Sequence, residues 1–209
     1  MRKALEIGGL VAAVVLIAFG IGALVMSING RQTVQDNLKL EQITGTPDMT
    51  PSGIQAEGQK AGLTNVSYPT CSVAGQAVTT GSRARCFAQY MRIHTLEATG
   101  GVPYAQMPRY ATANGKGTND ATKATKDANG QPVDNPIRNI WVTETALTTA
   151  LNQSYLASQL ANFGIVVGVA LILAGFGFGI LALAGALRSQ DGMVHLTHTE
   201  TKATAVPAV

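Results

Sequence analysis

The chain has 209 residues, with 15 basic against 12 acidic side chains and a formal net charge of +3. A balance so near neutral offers no electrostatic footing for a polyanion, so no nucleic-acid partner is expected. Charged residues are only 13% and aromatics 5% of the chain, beside 23 glycines. The usual charged share is about 25%, and a middle segment poor in large side chains argues against a deep, substrate-enclosing domain.

Residues 1–6 include Arg2 and Lys3 and are expected in the cytoplasm. The next stretch, IGGLVAAVVLIAFGIGALVM over 7–26, carries no charge. At about 1.5 Å per residue it reaches roughly 30 Å, the thickness of a bilayer's hydrocarbon core. In hydrocarbon every backbone polar group must be bonded within its own segment, so a first transmembrane helix is expected over 7–30. The basic start also fits a removable secretory signal. The apolar core is longer than the usual ~7–15 residues, however, and no clear small-x-small cleavage site follows, which favours an uncleaved signal anchor.

Residues 31–162 are expected outside the cytoplasm as a small helical, loop-rich domain. Val34 and Leu38, with Leu40 and Ile43 fitting less well, suggest a helical stalk over 32–43, broken from the membrane helix at Asn29-Gly30 and ended by Pro47 and Pro51. From 52 to 80 the glycines leave no sustained period, and loop is expected. Over 82–99, Ala84, Phe87, Ala88, Met91 and Thr95 recur at helical spacing, with Gly100-Gly101 and Pro103 as the stop. Segment 114–136 has Val133 as its one large apolar residue and is expected to be a flexible loop.

From 137 onward Ile137, Ile140, Trp141, Leu147, Leu151 and Tyr155 return to helical spacing, offering a cover for the preceding amphipathic helix. No proline or glycine separates them from a second apolar run, so one long helix leading into a transmembrane helix over 163–187 is expected. Trp141 is either core or a partner contact, with core favoured, and Tyr155 suits an interfacial anchor. The tail, 188–209, reads as a disordered cytoplasmic segment. Arg2 and Lys3 before the first span and Arg188 after the second place both termini inside by the positive-inside rule, with Arg31 weakening the asymmetry. The fold class expected is therefore mostly α: two transmembrane helices flanking an extracytoplasmic domain in the plasma membrane.

Small residues four apart put small faces on both spans: Ala18 and Gly22 in the first, Gly164 and Gly168, then Gly175 and Gly179, in the second. Such faces let helix backbones approach closely. Packing of the two spans on each other is the plainer reading; a membrane-protein partner or a second copy of the chain is the other.

Cys71 and Cys86 both fall in the exported segment, where oxidation is permitted. A disulfide would close a loop of ~15 residues, worth about 3 kcal/mol in the chain-entropy model. Free thiols or a metal pair are the alternative, but no further ligands lie nearby. His94 is the one histidine of residues 31–162, so two histidines and a carboxylate cannot meet there within one chain, and no metal or cofactor is expected. Its plain role is a surface or interhelical hydrogen bond, with partner contact as the other. Glu97 and Glu144 look isolated, and His195, His198 and Glu200 sit in the tail. HExxH, CxxC, GxSxG, P-loop and strand-linked GxGxxG patterns are absent. The triplets at Asn65 and Asn152 fit a glycosylation acceptor, a pattern common by chance.

The run CSVAGQAVTTGSRARCFAQYMRIHTLEATGGVPYAQM over 71–107, and the approach to the second span, NPIRNIWVTETALTTALNQSYLASQLANFGIVVGVALILAGF, resemble a group of small two-span actinobacterial membrane proteins of unknown function. The resemblance implies a cell-envelope protein with one helical ectodomain, in which the glycosylation triplets are idle. Members often carry the label aromatic ring-opening dioxygenase. That chemistry needs iron on histidines and a carboxylate, which the single histidine of residues 31–162 does not supply, so no catalytic residue carries over. The expected function is a non-enzymatic accessory or scaffolding subunit acting through protein contacts. An extracytoplasmic small-molecule sensor or binding module is the alternative, and an enzyme ranks last.

Overall fold

In the computed structural model the described residues are 2–184; the expectations for 188–209, including Arg188, His195, His198 and Glu200, lie outside them. Among the described residues four α-helices follow one another: α1 (Arg2–Leu40), α2 (Pro51–Lys60), α3 (Gly81–Ala98) and α4 (Ile137–Leu183), with one 3-10 turn at Tyr104–Gln106. Pairing between extended segments among the described residues is confined to isolated bridges such as Thr44 with Ala77 and Tyr110 with Thr118. The architecture is mostly helical, with its two long apolar helices at the two ends.

The chain divides into two compact units, one from α1 up to Gly22 with α4 from Val167 onward, the other Ala23–Val166. In the first unit the helices are long and apolar enough to cross a membrane, and only 17% of each apolar window is buried. A helix at the core of a soluble domain would hide most of that surface. Instead Phe19 is 71% and Leu173 65% exposed, the pattern lipid-facing helices require.

Contact within this unit runs along Ala13, Ile17 and Gly20. A Cβ on Gly20 would stand 2.7 Å from the Gly168 carbonyl oxygen and from Ile172, and one on Gly175 would stand 2.9 Å from the Ala13 carbonyl oxygen. Backbones this close exclude any larger residue. Gly179 lies over Ala13 at ordinary van der Waals distance. The expected Ala18 and Gly22 face is not part of this contact: Ala18 is exposed and a Cβ on Gly22 meets nothing within 4 Å. The correction is one of register, because the residues of α1 that face α4 are Ala13, Ile17 and Gly20 rather than Ala18 and Gly22.

The unit Ala23–Val166 holds a core of Leu38, Ile54, Val73, Val78, Phe87, Tyr90, Ile93 and Leu151. Between Asn29 and Gly30 the helix does not break; α1 continues to Leu40, with Thr33 donating to the Asn29 carbonyl at 3.0 Å. Gly164 faces Ser27 so closely that a side chain on it would collide with the serine hydroxyl. Downstream, α3 occupies nearly the expected span. Thr80 caps it by accepting from the Arg83 amide, and Gly100 and Gly101, both at positive φ, take the chain away from its C-terminus.

Helix α2 replaces part of the loop expected over 52–80. Thr50 caps it by accepting from the Gly53 amide at 3.0 Å, and Pro51 occupies the first turn, where its missing N–H costs nothing. Pro51 thus starts a helix rather than ending one. Its Gly58 is a close-approach position: any Cβ would run into the Tyr68 ring.

Cys71 and Cys86 are joined as a disulfide with Cα atoms 6.1 Å apart, tying the irregular segment to α3. The Tyr90 hydroxyl adds a second tie, donating to the Cys71 carbonyl at 2.6 Å. The α4 cover forms mainly from Trp141 and Leu151, only 1% and 2% exposed. Trp141 donates its Nε1–H to the Val102 carbonyl at 3.0 Å and lies under the Arg92 guanidinium. It is core, and the partner contact considered for it is withdrawn because no face of the ring is left to a partner. Tyr155 stacks under Arg85 of α3, 4.6 Å from the ring centroid.

The loop 114–136 has little apolar burial but is laced by polar closures. Tyr110 and Thr118 exchange backbone bonds, and Val133 donates to Thr125. The Asp127 side chain accepts from the amides of Asn129 and Gln131.

Candidate functional site

Between α2 and α3 opens a cleft of about 770 Å³. Its position follows from local structure. The turn at 46–50 is closed by the Met49 amide on Thr46 and the Thr50 amide on Asp48, which sets the Asp48 side chain just before the α2 cap. Glu57 and Lys60, three apart, share one face of α2; Met91, His94 and Glu97 recur on one face of α3. Ile54 is fully buried in the core that the two helices share, and Phe87 and Met91 give the cleft an apolar floor.

The polar wall converges on His94. Its Nε2 lies 3.0 Å from Asp48 Oδ2, while Nδ1 lies 4.0 Å from Glu57 Oε2 and 3.9 Å from Glu97 Oε2. Both Nε2 and Oδ2 are shut off from solvent, and neither has a partner in hydrogen-bond alignment. The approach is therefore close but off the N–H axis. Such orphaned polar atoms are costly in a folded protein.

Burial pushes the Asp48 carboxyl up, but the Thr46 hydroxyl, the residue's own backbone N–H and the His94 ring outweigh it, so the group titrates below the ordinary carboxylate range. Burial raises the Tyr90 phenol, helped by the charge on Asp48. Asp48, Glu57 and Glu97 face a single lysine, Lys60, across the described lining, so the cleft is an acidic environment.

The sequence-derived residues divide sharply. Cys71 and Cys86 meet, Gly175 and Gly179 pack against α1, and His94 lies in the cleft. Glu97, which looked isolated, stands beside His94; Glu144 is buried on α4, where the Thr145 hydroxyl donates to it at 3.4 Å. Asp48 and Glu57 were missed. No motif marks them, and the usable signal was Thr50-Pro51, which announces a helix whose exposed face carries Glu57. Asp48, Glu57 and His94 each present one donor atom within 4.8 Å of the others, where no metal set was expected.

Comparison with protein-family models, with curated proteins and with solved structures returned no match.

Proposed function

We propose that this is a non-enzymatic membrane protein of the cell envelope whose extracytoplasmic domain, residues 31–162, is a binding module receiving a small polar ligand in the α2–α3 cleft. The observation that carries this reading is the Asp48–His94 pair, two buried polar atoms 3.0 Å apart without aligned partners at the back of an open cleft. A bound ligand supplies the missing partners. Of the two functions drawn from sequence, the binding module moves ahead of the scaffold because it uses a feature built from four separate side chains.

Purified full-length protein in detergent, free of other proteins, should melt at higher temperature with a solute that enters the cleft. A panel of divalent cations, polyamines and amino acids tests this, with Glu57→Gln and Lys60→Ala as variants that alter the cleft wall. If no member of the panel gives a saturable shift, the reading fails.

An accessory subunit is the second reading, favoured by the open Ala18 and Gly22 face of α1. Stoichiometric co-purification with another membrane protein, lost in Gly22→Leu, would support it. The topology that goes with either reading has both termini cytoplasmic, on the basic flanks Arg2, Lys3 and Arg188. The disulfide supports an oxidising compartment for the central domain. An impermeant thiol reagent applied to whole cells after reduction should label Cys71 and Cys86; protection of both would reverse the orientation.

A further inference from the structure

We infer that the ligand of the α2–α3 cleft is a divalent first-row transition cation of the zinc or manganese kind, held by Asp48, Glu57 and one ring nitrogen of His94. The inference rests on the binding-module reading and narrows it to one class of ligand.

Three features of the site point the same way. The first is donor chemistry. One imidazole nitrogen with two carboxylates suits borderline divalent ions, whereas calcium and magnesium take oxygen donors almost alone. The second is spacing. Two ligands at about 2.1 Å from a common ion are about 3.0 Å apart at an octahedral right angle and about 3.4 Å apart at the tetrahedral angle, and His94 Nε2 and Asp48 Oδ2, separated by 3.0 Å, lie at the short end of that range. A strong hydrogen bond has a similar heavy-atom distance but requires alignment, and these two atoms lack it. Glu57 supplies a third donor atom, all three within 4.8 Å of one another.

The third feature is charge and access. Asp48 and Glu57 are joined at the cleft by Glu97, whose Oε2 is 3.9 Å from His94 Nδ1. Three carboxylates outweigh Lys60. The side chains of Asp48 and His94 keep 25% and 28% exposure and border the open cleft; their facing Nε2 and Oδ2 are covered, so an ion reaches them as the two side chains part. Glu97 is placed to orient the ring through a water, as second partners of metal-bound histidines do.

The test uses the full chain in detergent, stripped with a chelator, carrying His195→Gln and His198→Gln so that the tail cannot bind. Cobalt(II) is the probe, because its visible absorption reports nitrogen and oxygen ligation. Saturable binding of cobalt is expected, displaced by zinc and indifferent to calcium or magnesium at millimolar concentration. His94→Ala and Glu57→Gln should each weaken it by about tenfold or more, while the melting temperature without metal stays near the parent's for Glu57→Gln. Cobalt binding that survives both substitutions, displacement by calcium as effective as by zinc, or no saturable binding below about millimolar cobalt overturns the inference. A chain that fails with cobalt and zinc but is stabilised by a polyamine or amino acid loses the metal and keeps the binding module. Failure with every solute removes both.

Discussion

His94 on α3 and Asp48 in the turn before α2 bring Nε2 and Oδ2 to 3.0 Å across a sequence separation that no helix periodicity links. The pair joins the one irregular stretch ahead of α2 to the helix that carries the disulfide, so its chemistry and the packing of the domain are coupled.

Acid should expose that coupling first. Asp48 has a folded pKa below its unfolded value, so the ionised group contributes stability that is fully present above the unfolded pKa of about 3.9. The contribution is lost as pH falls through the lowered folded value. Melting curves between pH 7 and pH 2 should therefore fall less steeply for Asp48→Asn than for the parent at the acid end. Equal slopes would show that the carboxylate is not stabilised by folding.

Reducing the Cys71–Cys86 bond removes a tie across 15 residues of sequence. The expected loss is about 3 kcal/mol on the chain-entropy account, seen as a lower melting temperature for Cys71→Ser/Cys86→Ser than for the oxidised parent. The same loss should follow treatment of the parent with reductant, and the double variant should be insensitive to it.

Trp141 is the only tryptophan of the chain, so its emission is a private report on the α3–α4 packing. Trp141→Phe keeps most of the apolar area but removes one of the two donors to the Val102 carbonyl, the Thr99 hydroxyl at 3.1 Å being the other, a cost of about 1 kcal/mol. Trp141→Ala should cost about 3–5 kcal/mol. In the parent, emission should be blue-shifted and shift to the red on unfolding; an emission already red in the native protein would contradict its burial.

The register of the two long helices can be tested by crosslinking. A Cβ on Gly179 would lie 3.7 Å from that of Ala13, within the range a disulfide bridges. Ala13→Cys/Gly179→Cys should crosslink within one chain under mild oxidation, while Gly22→Cys/Gly179→Cys should not. Gly175→Val, which would press on Ile17 and the Ala13 carbonyl, should lower the melting temperature, and Gly22→Val should leave it near the parent's.

How far the sequence reaches can be judged element by element. Helix α3 was legible because Ala84, Phe87, Ala88 and Thr95 announce a buried stripe and Gly100-Gly101 a stop. Helix α2 was not. Its two internal glycines look like breakers, whereas Gly58 is there because the Tyr68 ring lies against it, a tertiary requirement with no local sign. The small faces of the long helices show the same division. Spacing identifies small residues, but the turn of one helix about its axis relative to the other chooses Gly20 over Gly22.

What the amino-acid order alone determined here is whatever sums over neighbours in the chain: two uncharged runs long enough for a bilayer, one amphipathic helix, and two cysteines close enough to pair. The tertiary structure alone decided the cleft, because Asp48, Glu57 and His94 meet only after α2 and α3 pack around Ile54. Hydropathy is additive along a segment and can be read one residue at a time. A binding site depends on distances between segments, and these exist only once the chain has folded back on itself.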